Sequence, residues 1–454
     1  MNFERKLDVL FTPDVLVCGA GCAGTIAALA AARRGASVVV VERFGFSGGY
    51  ITGVVGASLD GFVDLRSGMP VVGGIVREFA ENAIGATKEL YAQSFSPSGE
   101  LREMKENPNR KTIRFDIEGF KLQADRLFKK AGVKVLYHTS VVDVLANGDH
   151  VEGVVIANKG GLSVIKPKMI VDATGDADIA AWSGADYDYS EHPQPMSLHF
   201  RIGNVNIDAQ TRDQCSAILI KAHDEGRLGL YGGPWIGRIS ESEVYVNACR
   251  SPGRGTVPDD LTRAEIQGRE DSKLMFDLFK AHVSGFQDSF LSSTGPVVGV
   301  RESRRIIGDS TLTGEDVRNE VEKDDAVALG AWWMDQHPVD KAGYHLHEMV
   351  RPYDISYGTL LPRKLSNVWV AGRCHSADST ALASSRVTVT AMGMGEAAGT
   401  AAAMASANNT DSRGVKIREL QATLVAGGSI IAEEAQRVRA IGDAVADKPV
   451  SAVR

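Results

Sequence analysis

A glycine-rich turn between an apolar run and an alanine-rich segment constrains the fold of this chain most strongly. Residues 19–24 read Gly-Ala-Gly-Cys-Ala-Gly and follow the apolar run 15–18. Glycines at the first, third and sixth positions let a strand turn tightly into a helix whose N-terminal amides face a pyrophosphate. Glu42 ends the next apolar run, 23 residues after Gly19, where a carboxylate can accept hydrogen bonds from both ribose hydroxyls. The sequence therefore predicts a β-α-β dinucleotide-binding unit.

The remaining patterns predict an α/β fold built from discontinuous pieces. Apolar residues recur at helical spacing after Asp116 until Gly132, and a short apolar run follows. Short β segments between about residues 141 and 166, with an Asn-Gly turn at 147–148, predict an inserted β-meander. Apolar runs at 169–173 and 367–371 then return to a buried parallel sheet. A long Gly/Ala helix is expected to follow, to about residue 407.

These patterns divide the chain into two lobes and a tail. We expect residues 1–185 to form the first part of a Rossmann-like dinucleotide-binding lobe with a parallel sheet and the meander. Residues 186–353, which alternate candidate strands with a charged helical stretch, predict a second, α+β lobe that covers the substrate. Residues 354–410 would complete the first lobe, and residues 411–454 would form a C-terminal helical segment.

Composition excludes several classes of function. The 50 Lys+Arg and 57 Asp+Glu residues give a net charge of −7, and no stretch gathers five or six basic residues, so a nucleic-acid partner is not expected. The five scattered cysteines argue against a disulfide framework and favour a reducing compartment, the cytoplasm. No segment has the pattern of a signal peptide or membrane anchor, so no membrane partner is expected. Homo-oligomerisation stays open.

Several further segments together resemble one family. Ser47-Gly48-Gly49 closely follows Glu42, Ala173-Thr174-Gly175-Asp176 follows a buried run, and the run 367–373 leads into a Gly/Ala segment, 393–399. With the segments VRESRRIIGD (300–309), AGRCHSAD (371–378) and SSRV (384–387), the sequence resembles the FAD-dependent oxidoreductases of the glutathione-reductase-type superfamily. The resemblance spans residues 13 to about 406. It implies a flavin-binding lobe interrupted by a substrate lobe, with FAD as the cofactor.

The resemblance also implies particular cofactor contacts. It places Gly19, Gly21 and Gly24 at the pyrophosphate and Glu42 at the adenosine ribose. The helix that begins near residues 385–387 would point its N-terminus at the N1/C2 carbonyl region of the flavin, where the helix dipole offsets negative charge. The other contacts implied are Arg43, Ser47, Gly48, Gly49, the Val142 backbone near adenine, Thr174, Gly175, Gly372, Arg373, Ser385 and Val387.

Three side chains are candidates for catalysis. His375 could exchange a proton during hydride transfer, although a histidine bonded to backbone in a loop is the alternative. Arg301, in the VRESRR segment, could contact a carboxylate or the flavin, with a structural ion pair as the alternative. Arg386 is a second candidate for orienting the substrate. His199 and Arg201, on one face of a predicted strand, are further candidate substrate contacts.

These residues predict an FAD-dependent oxidoreductase of the dehydrogenase or reductase type. A hydride would pass between a small organic substrate and flavin N5. The chain has one dinucleotide fingerprint, so the electrons come from, or go to, the substrate or an external carrier of unknown identity. Two alternatives stay open, a flavin-dependent monooxygenase and a non-catalytic flavin-binding redox subunit. No metal site is expected.

Overall fold

The computed structural model describes residues 6–56, 58–64, 68–83, 113–114, 117–208, 210–240, 242–343, 346–431 and 433–446. The described helices, numbered in chain order, are α1 (Cys22–Arg33), α2 (Tyr50–Gly53), α3 (Gly74–Ala83), α4 (Ile117–Ala131), α5 (Asp178–Trp182), α6 (Thr211–Asp224), α7 (Pro258–His282), α8 (Gly314–Arg318), α9 (Ser379–Ser385), α10 (Thr388–Asn408), α11 (Ile417–Ala426) and α12 (Glu433–Ala446).

The described strands form one parallel sheet and several antiparallel or mixed ones. In chain order they are β1 (Val9–Phe11), β2 (Val15–Cys18), β3 (Val38–Val41), β4 (Ser58–Leu59), β5 (Ile113–Arg114), β6 (Lys134–Leu136), β7 (Ser140–Asn147), β8 (His150–Asn158), β9 (Gly161–Ile165), β10 (Met169–Asp172), β11 (Tyr187–Asp188), β12 (His199–Gly203), β13 (Tyr231–Arg238), β14 (Glu243–Cys249), β15 (Phe290–Thr294), β16 (Arg305–Ile306), β17 (Ala326–Gly330), β18 (Met334–Gln336), β19 (Leu346–Glu348), β20 (Tyr353–Ser356) and β21 (Val368–Val370).

A five-stranded parallel sheet in the order β21-β10-β2-β3-β6 forms the centre of the first lobe. Strands β2, β3, β10 and β21 are buried along their whole length, as continuous apolar runs predict for a sheet covered on both faces. Alternate residues define the two faces: Val15 and Val17 pack with α1, α4 and α10, whereas Leu16 and Cys18 pack with the meander. The predicted Rossmann-like α/β fold is therefore confirmed.

The meander is present as predicted, and it gains one strand that the sequence patterns did not predict. Strands β7, β8 and β9 pair antiparallel in succession, and Gly148 adopts a positive φ of 62° in the turn between the first two. Strand β1 then pairs parallel to β9, so the sheet has the order β1-β9-β8-β7. This sheet covers one face of the central sheet and fixes the start of β2.

Helices α1 and α10 lie backbone to backbone on the other face of the central sheet. A Cβ built on Gly395 would lie 2.1 Å from the carbonyl oxygen of Ala23, and one on Gly399 would lie 2.1 Å from that of Ala27. From the first contact to the second, the residue number rises by four in α1 and by four in α10. The two helices therefore run in the same direction. Helix α10 begins seven residues before Gly395, so at 1.5 Å per residue its N-terminus lies about 10 Å beyond the start of α1.

The second lobe is an antiparallel sheet with helices on one side. Strands are ordered β13-β14-β12-β15, and Phe200 and Val246 turn one face of the sheet toward α6 and α7. The opposite face carries His199 and Asn247, which are direct partners across β12 and β14. The predicted α+β character of this lobe is confirmed. The numerical lobe boundaries stay a prediction.

The close approach of α1 and α10 predicts how the fold responds to one methyl group. Gly399→Ala would place its Cβ against the Ala27 carbonyl, so we expect the free energy of unfolding to fall by about 1–3 kcal/mol despite the better helix propensity of alanine. Gly393→Ala, in the same helix, is the control because its nearest neighbour would be the Ala328 Cβ at 3.3 Å. Equal urea midpoints for the two variants would contradict this packing.

Candidate functional site

The three glycines of the fingerprint have different roles. Gly19 has a φ of +94°, and a Cβ there would lie 2.5 Å from the carbonyl oxygen of Ala173. A Cβ on Gly24 would lie 1.9 Å from the carbonyl oxygen of Gly19, so these two glycines are needed for the protein's own packing. Gly21 differs, because the nearest atom to a Cβ there is the Gly49 Cα at 3.9 Å.

Gly21 therefore keeps space open in front of α1. It is the N-cap of that helix, and no side chain caps the helix at this end. An uncapped helix N-terminus with an open approach fits a phosphate group, whose oxygens accept hydrogen bonds from the free amides. These residues thus fit the pyrophosphate of a dinucleotide, as the sequence predicts.

Glu42 follows β3 and lies buried beside the fingerprint loop. Its Oε2 accepts a hydrogen bond from the Ala20 amide at 2.7 Å, and its Oε1 accepts one from the Phe44 amide at 2.9 Å. Burial raises the pKa of this carboxyl, and the two amides act in the opposite direction. Each oxygen keeps a further lone pair for a ribose hydroxyl. Arg43 is exposed, with its guanidinium 4.8 Å from the centre of the Phe44 ring.

The loop of Ser47, Gly48 and Gly49 packs directly on the fingerprint. The Gly48 amide donates to the Ala20 carbonyl at 2.7 Å, and a Cβ on Gly49 would lie 2.9 Å from the Gly21 Cα. The Ser47 hydroxyl lies 2.9 Å from the Tyr137 hydroxyl and is therefore engaged within the protein. Backbone contacts therefore bring Gly48 and Gly49 next to Gly21, as the resemblance implies.

The segment after β10 forms a second turn beside the loop. Asp172 is buried and accepts hydrogen bonds from the Thr174 amide and hydroxyl and from the Ala180 amide. Gly175 faces Arg373, since a Cβ there would lie 3.0 Å from a guanidinium nitrogen. Arg373 pairs with Asp176 at 2.8 Å. Thr174, Gly175 and Arg373 are therefore neighbours, which their predicted role as contacts of the same cofactor requires.

Gly372 joins the two helix N-termini. It has a φ of +97°, and its built Cβ would lie 3.3 Å from the Ala23 Cβ in α1 and 3.8 Å from the Ala391 Cβ in α10. Val387 is the N-cap of α10, which no side chain caps. Gly372 thus lies between the first turns of α1 and α10, and no side chain caps either helix, which suits a cofactor long enough to reach both helix ends.

The sequence-based placement of Ser385 at the start of the long helix is wrong. Ser385 is the last residue of α9, a separate helix whose N-cap Asp378 accepts a hydrogen bond from the Ala381 amide. The β-branched residues from Val387 onward do open α10, because they are buried and Thr388 accepts a hydrogen bond from the Asp60 amide at 3.0 Å. Tertiary contacts override weak helix propensity there.

The structure does not favour proton exchange at His375. Its Nδ1 lies 2.9 Å from the Gly372 carbonyl oxygen, and its Nε2 lies 3.1 Å from the Ser385 hydroxyl. The side chain is fully buried, and this burial lowers its pKa to about 4. Both ring nitrogens are therefore used to hold the Gly372 turn against α9, which is the alternative that the sequence left open.

Val142 lies at the rim of the lobe. It belongs to the edge strand β7, at a bulge next to Val141, and is 42% exposed. The strand begins next to Thr139, whose amide donates to the Glu42 carbonyl at 3.0 Å. The predicted contact of the Val142 backbone with adenine stays a prediction.

The arginine candidates lie on the second lobe's side of the site. Arg301 is 8% exposed and donates to the Pro195 carbonyl at 2.8 Å, and its other nitrogen lies 3.4 Å from the Asn247 oxygen. Arg386 donates to the Asp335 carbonyl at 3.1 Å and lies 3.6 Å from its carboxylate. Among the described residues, no carboxylate lies within ion-pair distance of Arg301, so the ion pair that was its alternative role is not found there, whereas Arg386 has one.

The rest of the VRESRR segment is structural. Arg304 pairs with Asp178, and Arg305 pairs with Glu302 at 2.6 Å and also with Asp188. The pair of Arg304 joins the segment to α5 of the first lobe, and the pairs of Arg305 join it to β11 and to its own Glu302. Arg201 pairs with Glu243 across β12 and β14 at 2.5 Å.

Sequence reasoning missed three residues that surround Arg301. Asn247 lies in β14, Arg250 directly follows that strand, and Asp335 lies on β18. Asn247 is opposite both His199 and Trp235 in the sheet, so strand pairing alone brings it to the site. No local spacing connects residues 199, 250, 301 and 335, and only the alternation of β14 could have suggested that Asn247 shares a face with His199.

A family model described as FAD dependent oxidoreductase matches residues 14–424. The chain belongs to this family. FAD is therefore the cofactor of the site described above.

Curated relatives of this family member are distant. This chain is 24% identical over 200 residues to a digeranylgeranylglycerophospholipid reductase of Methanosarcina acetivorans. The matched part covers 43% of this chain and 46% of the relative. A similar reductase of Methanococcoides burtonii is 26% identical over 198 positions, covering 43% and 46%. This chain thus spans about half the length of the curated relatives that it matches.

Solved structures with a similar course of the chain share little sequence. A geranylgeranyl bacteriochlorophyll reductase-like protein from Thermoplasma acidophilum has a TM-score of 0.47 at 15% identity, covering 96% of this chain and 88% of that one. The triple mutant of the flavin-dependent brominase Bmp2 has a TM-score of 0.49 at 15% identity, covering 96% and 95%.

The described residues contain neither a membrane-spanning helix nor a cluster of metal-ligating side chains. In that part of the chain, no helix combines the length and apolar character needed to cross a membrane. The same residues contain no group of three or more His, Cys, Asp or Glu side chains arranged to hold a metal ion.

Gly21 allows cofactor binding to be separated from folding. We expect Gly21→Val to fold with the melting temperature of the flavin-free wild-type protein, because the position is open, but to lose at least about 90% of its flavin because the side chain fills the space before α1. The ratio of flavin to protein absorbance after purification measures this. Gly24→Val, which meets the Gly19 carbonyl, should instead lose the fold. Full flavin content in Gly21→Val would contradict the assignment.

Proposed function

We propose that this protein transfers a hydride between a carbon of a small organic substrate and FAD. Family membership and the convergence of the fingerprint with two uncapped helix ends support the cofactor part of this proposal. A buried polar surface of the second lobe that faces the flavin lobe supports the substrate part. The glutathione-reductase-type assignment belongs to the same proposal.

Separate parts of the chain would hold the cofactor. The amides before α1 would bind the pyrophosphate, Glu42 the adenosine ribose, and the loop from Ser47 to Gly49 the length of the dinucleotide. The N-terminus of α10 would face the ring, where its dipole favours negative charge. No side chain caps this helix end, and the Asp60 carbonyl accepts a hydrogen bond from its Val389 amide at 3.3 Å. Bound FAD supplies N5 as the site that accepts or gives the hydride.

The substrate would lie beside the contact between Tyr50 and the polar face of the second-lobe sheet. Tyr50 follows Gly49 directly and begins α2, and its ring meets that of His199 edge-on at 5.7 Å. Two backbone hydrogen bonds fix this contact: Gly295 donates to the His199 carbonyl at 2.8 Å, and Val297 donates to the Gly53 carbonyl at 3.1 Å. The sheet is thus attached to the same loop that follows the fingerprint.

His199, rather than His375, would exchange the proton that accompanies the hydride. Its Nδ1 is buried without a hydrogen-bond partner among the described residues. Burial and the positive charges of Arg301 and Arg250 lower its pKa well below the usual value, so the ring is neutral at neutral pH. It would become a proton acceptor when an anionic substrate offsets these two cations and raises its pKa. Arg301 and Arg386 would orient the substrate next to it.

Anaerobic flavin bleaching tests the proposal most directly. Hydroxy acids, sugars and amines are mixed with the oxidised holoenzyme, and unsaturated acids with the dithionite-reduced holoenzyme. We expect one class to bleach the oxidised flavin or to restore the colour of the reduced flavin. His199→Gln should keep its flavin and slow bleaching at least tenfold, whereas His223→Gln, an exposed histidine of α6, should leave the rate unchanged.

Two results would contradict parts of this proposal. Aerobic NAD(P)H consumption that depends on an aromatic substrate, without anaerobic bleaching by any compound, would replace hydride transfer by a monooxygenase reaction. An unchanged rate in His199→Gln would remove this residue from the reaction.

A further inference from the structure

Arg250 has one edge of its guanidinium group fully engaged and the other edge free. Its Nη1 donates to the Ser197 hydroxyl at 2.6 Å, the Asn247 side-chain oxygen at 2.8 Å and the Cys249 carbonyl at 2.8 Å. Its Nε and Nη2 are buried and have no hydrogen-bond partner among the described residues. The residue is 3% exposed, so water does not hydrate this edge.

The charges around Arg250 are mainly positive. Arg301 shares the Asn247 oxygen with it, and the positive charges of Arg301 and Arg386 lie close enough to influence each other and Arg250. Asp335 is the carboxylate that acts on both Arg250 and Arg301, and it also pairs with Arg386, His337 and His347. Burial, together with these like charges, lowers the pKa of Arg250 to about 10 and that of Arg301 well below its usual value.

Such an arrangement is unfavourable unless an anion joins it. The guanidinium of Arg250 lies 5.3 Å from the centre of the Trp235 ring, which attracts the charge but accepts no hydrogen bond from Nε or Nη2. The loss of hydration at these donors is therefore only partly offset, and like charges nearby add to the cost. Arginine stays protonated under ordinary conditions, so the group cannot avoid this cost by losing its proton. Buried ion pairs elsewhere in the chain, such as Arg305 with Glu302 and Arg439 with Asp354, are locally matched.

We propose that the substrate is a small organic acid and that the Nε–Nη2 edge of Arg250 binds its carboxylate, with Arg301 and Arg386 adding positive charge. The inference rests on the proposed function, since it names the substrate class for the same site. Nε and Nη2 present two nearly parallel N–H groups, which match the two oxygens of a carboxylate. The bound carboxylate would lie on the same face of the sheet as His199, the proposed proton acceptor.

A neighbouring strand, β13, covers this edge of Arg250 and would have to move for an acid to bind. A Cβ on Gly232 would lie 2.8 Å from both Nε and Nη2, so the backbone of this glycine now lies over the free edge. Pairing of β13 with β14 is irregular between Tyr231 and Trp235, which leaves this segment with fewer ladder hydrogen bonds to lose. We infer that the segment at Gly232 moves aside when the acid binds.

Binding to the oxidised holoenzyme tests this inference without any turnover. The probes are acetate, lactate, succinate and malate, with acetamide, lactamide, succinamide and malamide as their uncharged counterparts. At least one acid should perturb the flavin spectrum and raise the melting temperature, and its amide should do neither. Arg250→Met should weaken that acid at least tenfold. Arg250→Lys, which keeps the charge and loses the two-pronged edge, should also weaken it at least tenfold.

Arg238→Met is the matched control for the loss of one positive charge. This arginine lies on the same strand as Gly232, and its guanidinium donates to the Ile207 carbonyl at 3.0 Å. We expect acid binding to this variant to be unchanged. Failure of all four acids, equal binding of acid and amide, or full affinity in Arg250→Lys would overturn the inference. Inorganic phosphate binding more tightly than every acid would overturn the carboxylate assignment.

The same measurements distinguish this inference from the proposed function. An acid that binds through Arg250 but never bleaches the flavin would contradict hydride transfer and leave the carboxylate site in place. A neutral compound that bleaches the flavin equally in wild type and Arg250→Met would support hydride transfer and contradict the carboxylate site.

Discussion

The backbone contact between α1 and α10 is the constraint on which the rest of the site depends. Only glycine at 395 and 399 lets the two helices approach to this distance, and Gly24 lets α1 approach the fingerprint loop in the same way. Because the helices run side by side in the same direction with an offset, their N-termini lie on the same side of the lobe at different depths, and no side chain caps either one. An elongated cofactor with a phosphate group in the middle and a ring at one end matches that spacing. Packing alone therefore creates much of the electrostatic environment of the site.

The second lobe adds the chemistry that the first lobe lacks. Its sheet buries one face under two helices and turns the other toward Tyr50. That second face carries histidine, asparagine and arginine side chains, which a protein interior tolerates only when they are paired or serve a ligand. The VRESRR segment contains both kinds of side chain. Arg304 and Arg305 are held in ion pairs, whereas Arg301 faces the polar surface.

Sequence alone predicts the parts of the fold that depend on local patterns. The parallel strands, the meander and the long Gly/Ala helix follow from apolar runs, an Asn-Gly turn and helical spacing, and the resemblance added the turns at Thr174 and Gly372. Sequence could not predict β1, because a three-residue exposed strand has no distinctive pattern. Nor could it show that His375 has both nitrogens engaged, or that Arg250 meets Arg301, because these depend on contacts between distant segments.

One measurement tests the central claim most directly: identification of the chromophore that the purified protein releases when it is denatured. The account predicts an isoalloxazine spectrum from a compound that phosphodiesterase splits into FMN and AMP, at close to one molecule per chain, either as purified or after refolding with FAD. Release of FMN alone, or of no flavin after both treatments, would contradict the assignment of the adenosine end to Glu42 and of the pyrophosphate to α1.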